Sequence, residues 1–362
     1  MNRRRLVLLL STGALLLASC STSTTDEHVV TPVDIKDIVL TNLSGDCADY
    51  ASPYEADVQD LQQKIDFLAT FTVTDGGESC DITSNGIPNY DFNDESARFA
   101  DPVAIQDLSL SIPRNPKKAD EITELSLLYY NAVMLNGVVL DLLSNGCYMP
   151  EDAMADPNGN IANGCGLSVD WRLNPMGPVK FGTDSHNAHT QPGGLYHYHG
   201  NPMALYDPEE THQGSPVIGF AADGFPIYGP HYIDPVTGEM KQATSGYTLK
   251  RGARPTTEGS PGGTYDGTYN EDYEFTGAGT LDKCNGMTIN GQYGYYVTAT
   301  YPYVMGCFTG SPDKTFFKFW SIAKWIVAGV VLLLGLLVTL VVFVVRRRRR
   351  RNPLVTQESD KL

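Results

Sequence analysis

The sequence Asp184-Ser-His-Asn-Ala-His-Thr-Gln-Pro-Gly-Gly-Leu-Tyr-His-Tyr-His-Gly200 contains four of the chain's seven histidines. At its end Tyr and His alternate, and in a β-strand successive side chains point to opposite faces. The alternation therefore predicts a strand on which His197 and His199 share one face and Tyr196 and Tyr198 share the other. Two residues apart on a strand, the histidines are about 6.5 to 7 Å apart at Cα, so both imidazoles can reach one metal ion.

A glycine pair precedes this strand. Gly193-Gly194 predicts a turn, which lets the preceding histidines fold back towards the strand. Imidazole suits zinc and copper, so we predict one site for Zn or Cu. Asp184 is either a ligand or a carboxylate that orients an imidazole. The full predicted ligand set is Asp184, His186, His189, His197 and His199. The alternative is that the tyrosines pack in the core and the histidines form a polar surface.

Several further blocks of sequence are distinctive. They are Thr83–Asn89, Leu135–Gly137, Ser215–Pro230, Leu281–Gly286 and Tyr301–Gly310. Together with residues 184–200, and in this order, they resemble the YHYH domain family of secreted or surface proteins, whose biochemical role is unassigned. The resemblance covers about residues 80–310, and long ordered blocks are more specific than a four-letter motif.

The chain departs from the family in one block. Relatives usually repeat Tyr-His-Tyr-His before a final Val-Thr, whereas this chain reads Tyr293-Gly-Tyr-Tyr296. Both histidines of the second copy are missing. If the two copies jointly hold a metal ion in the family, half of that site has been lost here. If the copies are structural, tyrosine and glycine are tolerable replacements.

The two ends of the chain predict export and anchoring. Residues 1–20 combine three arginines, an apolar run and small residues before Cys20, a pattern typical of a secretory signal peptide. Leu17–Cys20 also fits a bacterial lipobox, although a lipid here would duplicate a second anchor. That anchor is Trp325–Val345, 21 uncharged residues that predict a transmembrane helix. Arg346–Arg351 follow and place the tail, to residue 362, in the cytoplasm, with the N-terminal domain outside the cell membrane.

Six cysteines remain after the signal peptide. An even number in an exported domain predicts three disulfides. We expect sequential pairing, because each pair then closes a loop rich in Gly and Asn. The expected bonds are Cys47–Cys80, Cys147–Cys165 and Cys284–Cys307.

The net charge of the body limits which classes of partner it can bind. Residues 21–324 contain 16 Lys and Arg against 40 Asp and Glu, a net charge of −24. Such a surface repels nucleic acid and favours cations or a cationic protein partner. The membrane is the remaining predicted partner.

The body predicts a mainly β, disulfide-braced and loop-rich domain of the sandwich or barrel kind, because short apolar runs alternate with Asn-Gly, Asp-Gly and Gly-Gly turns. Val58, Leu61, Ile65 and Leu68 have helical spacing and predict one amphipathic helix at Asp57–Thr70. The expected order is a signal peptide (1–20), a leader and N-terminal segment with this helix (21–79), a YHYH-like domain (80–312), the transmembrane helix (325–345) and the tail (346–362).

The sequence leaves catalysis open. It contains no nucleophile elbow, phosphate-binding loop, dinucleotide-binding glycine pattern or His-Glu-x-x-His. The case for a metal-dependent hydrolase or oxidase therefore rests on the histidines alone. We expect a membrane-anchored, metal-binding extracytoplasmic domain. The alternatives are a non-catalytic adhesion or partner-binding protein and a metal-dependent enzyme.

Overall fold

The computed structural model describes residues 30–209, 213–320, 333–334, 337–343 and 346–347. The chain divides into two compact units, residues 1–31 and 32–362, and every strand of the described residues lies in the second. The predicted signal peptide, the leader up to residue 29 and the tail from residue 348 lie outside the described residues.

Within the described residues the chain forms twenty-one β-strands and four short 3-10 helices. The strands are β1 (Val33–Asp34), β2 (Ser52–Asp60), β3 (Ile65–Asp75), β4 (Ser79–Ser84), β5 (Leu108–Pro113), β6 (Thr123–Glu124), β7 (Ala132–Met134), β8 (Val139–Leu140), β9 (Cys147–Tyr148), β10 (Asn160–Ile161), β11 (Ala188–Gln191), β12 (Leu195–Tyr198), β13 (Val217–Ala221), β14 (Pro226–Tyr228), β15 (His231–Ile233), β16 (Met240–Gln242), β17 (Tyr247–Leu249), β18 (Tyr273–Phe275), β19 (Gly286–Ile289), β20 (Gln292–Tyr296) and β21 (Cys307–Phe308). The 3-10 helices are Cys47–Tyr50, Met203–Leu205, Asn270–Asp272 and Lys314–Phe316. The prediction of a mainly β domain is confirmed.

Two large sheets share one hydrophobic core. The first has the strand order β1-β2-β3-β4-β5, and the second has the order β11-β12-β8-β7-β13-β14-β20-β19. Phe71 of the first sheet and Val133 of the second are buried in the same cluster. Ser84 Oγ donates to the carbonyl oxygen of Gly137 at 2.8 Å and so joins the sheets. Among the described residues neither sheet closes into a barrel, so that alternative is wrong.

The predicted helix at Asp57–Thr70 is wrong. These residues form the antiparallel hairpin of β2 and β3, with a turn at residues 61–64. Leu61, Ile65 and Leu68 are 41%, 49% and 48% exposed, so three of the four residues with helical spacing lie outside the core. The buried positions alternate instead, which is the pattern of a half-buried strand. They are Tyr54, Ala56 and Val58 in β2 and Ala69, Phe71 and Val73 in β3. Alternation of β-branched and aromatic residues in β3 favours a strand over a helix.

The first sheet also extends across the predicted start of the YHYH-like domain. The predicted boundary between residues 79 and 80 lies inside β4. β4 pairs with β3 on one side and with β5 on the other. Residues on both sides of that boundary therefore belong to one sheet.

The three predicted disulfides are confirmed, with the predicted pairing. Sulfur atoms join Cys47 to Cys80, Cys147 to Cys165 and Cys284 to Cys307. Cys47–Cys80 connects the first 3-10 helix to β4, and Cys284–Cys307 connects the loop before β19 to β21. The bonds therefore fix loops onto strands of the core.

The predicted transmembrane helix, Trp325–Val345, lies largely outside the described residues. Its described residues, 333–334 and 337–343, are helical. No helix within the described part of the chain is both long enough and apolar enough to cross a membrane.

The eight-stranded sheet consists of two similar halves. In the first half β7 and β8 form a hairpin, and β12 pairs in parallel with β8 and antiparallel with β11. In the second half β13 and β14 form a hairpin, and β20 pairs in parallel with β14 and antiparallel with β19. Antiparallel pairing of β7 with β13 joins the halves at the centre. The strand order of one half is thus the reverse of the other.

Hydrogen bonds align the turns of the two central hairpins. In the first turn Gly137 N donates to Met134 O at 2.9 Å, and in the second Gly224 N donates to Ala221 O at 2.8 Å. Both glycines have positive φ, 83° and 89°. Gly137 therefore corresponds to Gly224, and by the same offset Asp141 corresponds to Tyr228.

The loops that enter the outer hairpins are also alike. Asp184 Oδ1 accepts backbone N–H groups two and four residues further on, at 3.0 and 3.3 Å, and Asp282 Oδ1 does the same at 2.9 and 2.9 Å. Asn187 and Asn285 follow with φ of 64° and 67°. The two halves therefore share their strand pairing, their central turns and the loops that enter the outer hairpins, whereas the outer turns differ by one residue.

Candidate metal centre

The hairpin of β11 and β12 carries the histidines. In its register His189 lies directly opposite His197. The connecting residues include Gly193 and Gly194, both with positive φ, 94° and 75°. A Cβ on Gly194 would lie 2.6 Å from the carbonyl oxygen of Pro102, so this turn requires glycine. The predicted Gly-Gly turn is confirmed, and it brings His189 back to the strand.

The tyrosines occupy the other face of β12, as the alternation predicts. Tyr196 and Tyr198 are completely buried. Their hydroxyl groups lie 3.2 and 2.7 Å from the hydroxyl group of Tyr90. Tyr196 also donates to Asp184 at 2.6 Å. This face is therefore a buried network of phenol and carboxylate groups.

Three imidazoles converge on the histidine face. His199 Nε2 lies 3.1 Å from His197 Nε2 and 3.0 Å from His189 Nε2. All three candidate ligand atoms lie within 4.8 Å of one another. Nitrogen ligands of a tetrahedral zinc ion are about 3.3 Å apart, given Zn–N bonds of about 2.0 to 2.1 Å. The nitrogen atoms are therefore spaced nearly as a metal ion would hold them.

The other ring nitrogens fix the direction of two lone pairs. His189 Nδ1 lies 2.7 Å from Phe181 O, and His197 Nδ1 lies 3.1 Å from Leu195 O. A carbonyl oxygen only accepts, so each Nδ1 carries the hydrogen and each neutral ring has a bare Nε2. His199 Nε2 has at most one hydrogen to donate. At least one of its two short contacts is therefore between lone pairs, unless a cation lies between them.

Burial keeps these rings neutral. Loss of solvent lowers the pKa of His189 and that of His197 to about 4. It lowers the pKa of His199 well below the usual value, and the neighbouring His197 adds to this effect. Neutral imidazole is the form that binds a metal ion, so the three rings are ready as ligands at neutral pH.

The remaining two predicted ligands lie elsewhere. Asp184 is on the tyrosine side, where it accepts from Tyr196. The His186 ring packs against the Tyr90 ring, with 4.1 Å between centroids. The structure thus brings together three of the five predicted residues and leaves Asp184 and His186 outside that group. Metal binding by the three stays a prediction.

Sequence reasoning missed two charged residues next to the histidines. Asp141 follows β8, the parallel neighbour of β12, and its backbone N–H donates to Tyr198 O at 2.9 Å. Asp141 is 4% exposed, and its Oδ2 accepts from Lys318 Nζ. The signal in the sequence was one carboxylate inside the apolar run Val138–Leu143. Nothing local could have identified Lys318, which is 177 residues away along the chain.

The second half of the sheet lacks these groups at the matching positions. In its hairpin Met287 lies opposite Gly294, as His189 lies opposite His197 in the first. The ring of Tyr296 stacks on the ring of Tyr228, with centroids 5.0 Å apart. A Cβ on Gly294 would lie 2.5 Å from the Tyr228 ring, so that ring fills the space above the glycine.

A cleft of about 300 Å³ opens beside His199. Its wall includes Glu271, Tyr301 and Tyr303. Burial raises the pKa of Glu271 to about 7. One imidazole of the cluster is therefore next to a space that a small molecule can enter.

A family model described as "YHYH protein" matches residues 109–310. No curated protein and no solved structure matches the chain. The match includes the histidine hairpin and both halves of the eight-stranded sheet. Because it covers more than half of the 362 residues, the chain belongs to the YHYH protein family.

Proposed function

We propose that this protein binds one divalent transition-metal ion, Zn or Cu, through the Nε2 atoms of His189, His197 and His199. The observation that carries the proposal is the convergence of these atoms, at 3.0 and 3.1 Å from His199. Three neutral nitrogen donors suit either ion, whereas calcium and magnesium prefer oxygen.

The electrostatics of the cluster support the same conclusion. Two rings donate from Nδ1 to carbonyl oxygens, as metal-bound histidines commonly do. Without a cation, buried lone pairs face each other, which is unfavourable in a medium of low dielectric constant. A bound ion would remove this repulsion and would leave one position open on a tetrahedral centre.

Metal analysis of the purified full chain tests the proposal. We expect one ion per chain after exposure to Zn²⁺ or Cu²⁺ and dialysis, and far less in His197→Gln/His199→Gln. His231→Gln is the matched control, because His231 lies in β15 of a separate two-stranded sheet. A parent protein that holds neither ion, or a double variant that keeps a full equivalent, would favour a non-catalytic adhesion or partner-binding protein with structural histidines.

Metal-dependent hydrolysis is a second candidate function, favoured by the cleft. His199 and Glu271 line the same space. A carboxyl group with a pKa of about 7 suits a general base at neutral pH. With 4-nitrophenyl acetate as a probe, Glu271→Gln should lower the rate of the zinc-loaded protein about a hundredfold without loss of zinc. Equal rates for loaded and metal-free protein would exclude this function for that probe.

We also propose a place in the cell. Trp325–Val345 would anchor the protein in a membrane with the body outside, because 21 uncharged residues precede six arginines. The acidic body would then meet cations or a cationic protein partner rather than nucleic acid. Protease added to intact cells should digest the body and leave a fragment that contains Trp325–Leu362. A protected body would overturn this arrangement.

A further inference from the structure

The two halves of the eight-stranded sheet act as an internal control for which residues the fold needs. Structural groups recur in both halves. Asn136 donates to the hydroxyl group of Tyr198 at 3.0 Å, and at the matching place Asp223 accepts from Tyr295 at 2.6 Å. The presence of a residue with such a partner in both halves is explained by its role in stabilising the turn and the strand.

Among the matched positions that differ in chemistry, four lie at the histidine cluster. Three are the histidines of the cluster, which correspond to Met287, Gly294 and Tyr296. The fourth is Asp141, which corresponds to Tyr228. β8 and β14 each belong to a hairpin and pair in parallel with the next strand, with Asp141 at one position and Tyr228 at the other; only the second hairpin has a register shift there. The fold therefore does not require a carboxylate at position 141.

The burial of Asp141 is also unfavourable for the stability of the fold. Asp141 is 4% exposed, and its Oδ1 is a buried atom without a hydrogen-bond partner among the described residues. Its Oδ2 is held by Lys318, whose side chain is 15% exposed. Burial of an ion pair removes both ions from water, which is unfavourable, and an unpaired oxygen adds to that cost. A group kept at such a cost, and dispensable for the fold, points to function.

The position of Asp141 specifies that function. β8 runs in parallel beside β12, with Val139 opposite His197, so Asp141 comes next to His199. Asp141 is not one of the residues whose ligand atoms lie within 4.8 Å of one another. It is therefore beside the three nitrogens without being a fourth member of that group.

We propose that Asp141 is the outer carboxylate of the centre and decides which fourth ligand the centre accepts. Its free Oδ1 accepts a hydrogen bond from a neutral ligand that carries a proton, such as water, an alcohol or an amine. The same negative charge repels an anionic ligand. This inference rests on the proposed metal binding, and it assigns the class of molecule that completes the three-histidine set.

Anion binding to the full chain loaded with Co²⁺ tests the proposal, because a change of fourth ligand changes the visible spectrum of cobalt. The probe is azide, titrated at constant pH and ionic strength. Asp141→Asn should keep one Co²⁺ per chain and bind azide at least about tenfold more tightly, since a nearby like charge has been removed. Lys318→Met should weaken azide binding, because it leaves the charge of Asp141 uncompensated.

Tyr228→Phe is the matched control, because it alters the corresponding position of the other half, and it should leave azide affinity unchanged. Azide affinity that is the same in Asp141→Asn and the parent would overturn the inference while leaving metal binding intact. Loss of cobalt from a folded Asp141→Asn would overturn it too, since Asp141 would then be a ligand. If that variant does not fold, unchanged azide affinity in Lys318→Met overturns the inference. A parent protein that binds no cobalt would instead count against the proposed function.

Discussion

His199 and Tyr296 hold the same position in the two halves of the eight-stranded sheet. The backbone N–H of His199 donates to Asn187 O at 2.9 Å, and that of Tyr296 donates to Asn285 O at 3.1 Å. One side chain enters the imidazole cluster, and the other stacks on a tyrosine ring. The hairpin thus folds with either residue, so histidine variants should report on binding rather than on collapse of the fold.

Replacing His189 should be far more damaging to metal affinity than replacing His186. His189→Gln removes one of three converging nitrogens, and the loss should exceed the roughly 10- to 100-fold that residues behind the ligands cost. His186→Gln removes a ring that packs on Tyr90 and should change affinity less than about threefold. Competition with a chelator of known affinity measures both. Equal losses in the two variants would return His186 to the centre, as the sequence predicted.

The stability of the metal-free protein should fall as pH decreases from about 6.5 to 4. Burial lowers the pKa of His189 and that of His197 to about 4, whereas unfolded histidine titrates near 6.5. In this window the unfolded chain binds more protons than the folded chain, so acid favours unfolding. Thermal unfolding at several pH values measures this. The melting temperature should depend less steeply on pH in His189→Gln/His197→Gln. An unchanged dependence would assign the effect to other titratable groups.

All six cysteines of the described body should be oxidised. Peptide mapping by mass spectrometry without reductant should recover the three sequential pairs and no free thiol. Removing one bond, for example with Cys284→Ala/Cys307→Ala, should lower the free energy of unfolding by about 2 to 4 kcal/mol, because the unfolded chain regains freedom. A second pairing pattern in the native protein would contradict the structure.

Gly137→Ala should strongly destabilise the contact between the two large sheets. Gly137 has φ of 83°, and a Cβ there would lie 2.4 Å from Ser84 Oγ and 3.1 Å from Phe71 Cβ. Backbone strain of about 1 to 2 kcal/mol and a steric clash of about 1 to 3 kcal/mol should add. Gly277→Ala is the control, with φ of 71° and no atom within 4 Å. Chemical denaturation measures the free energy of unfolding of both variants. A similar decrease in the two would mean that the sheets can separate at Gly137.

Much of the centre could be predicted from alternation alone. In Tyr196–His199 the period of two fixes which rings share a face, and the glycine pair fixes the return of the chain. Alternation gives no position for His186. It lies in the loop that Asp184 organises before β11 begins, where strand alternation gives no direction.

Other features depend on contacts that no local pattern records. The spacing of Val58 and Leu61 fits one face of a helix as well as it fits a strand. Only the pairing of β2 with β3 shows that these residues form a hairpin. Asp141 reads as a polar interruption of an apolar run until β8 is placed beside β12. Lys318 joins the centre only through the tertiary fold.

The shared core has a practical consequence for preparing a smaller fragment. A fragment cut to residues 109–310 would begin inside β5 and lose β1–β4, which cover one side of the core. It would also lack Phe316, which is completely buried, and Lys318. Such a fragment should be insoluble in water. Crystallisation or isotope labelling of the body should therefore begin with residues 32–320, which retain both sheets and the partner of Asp141.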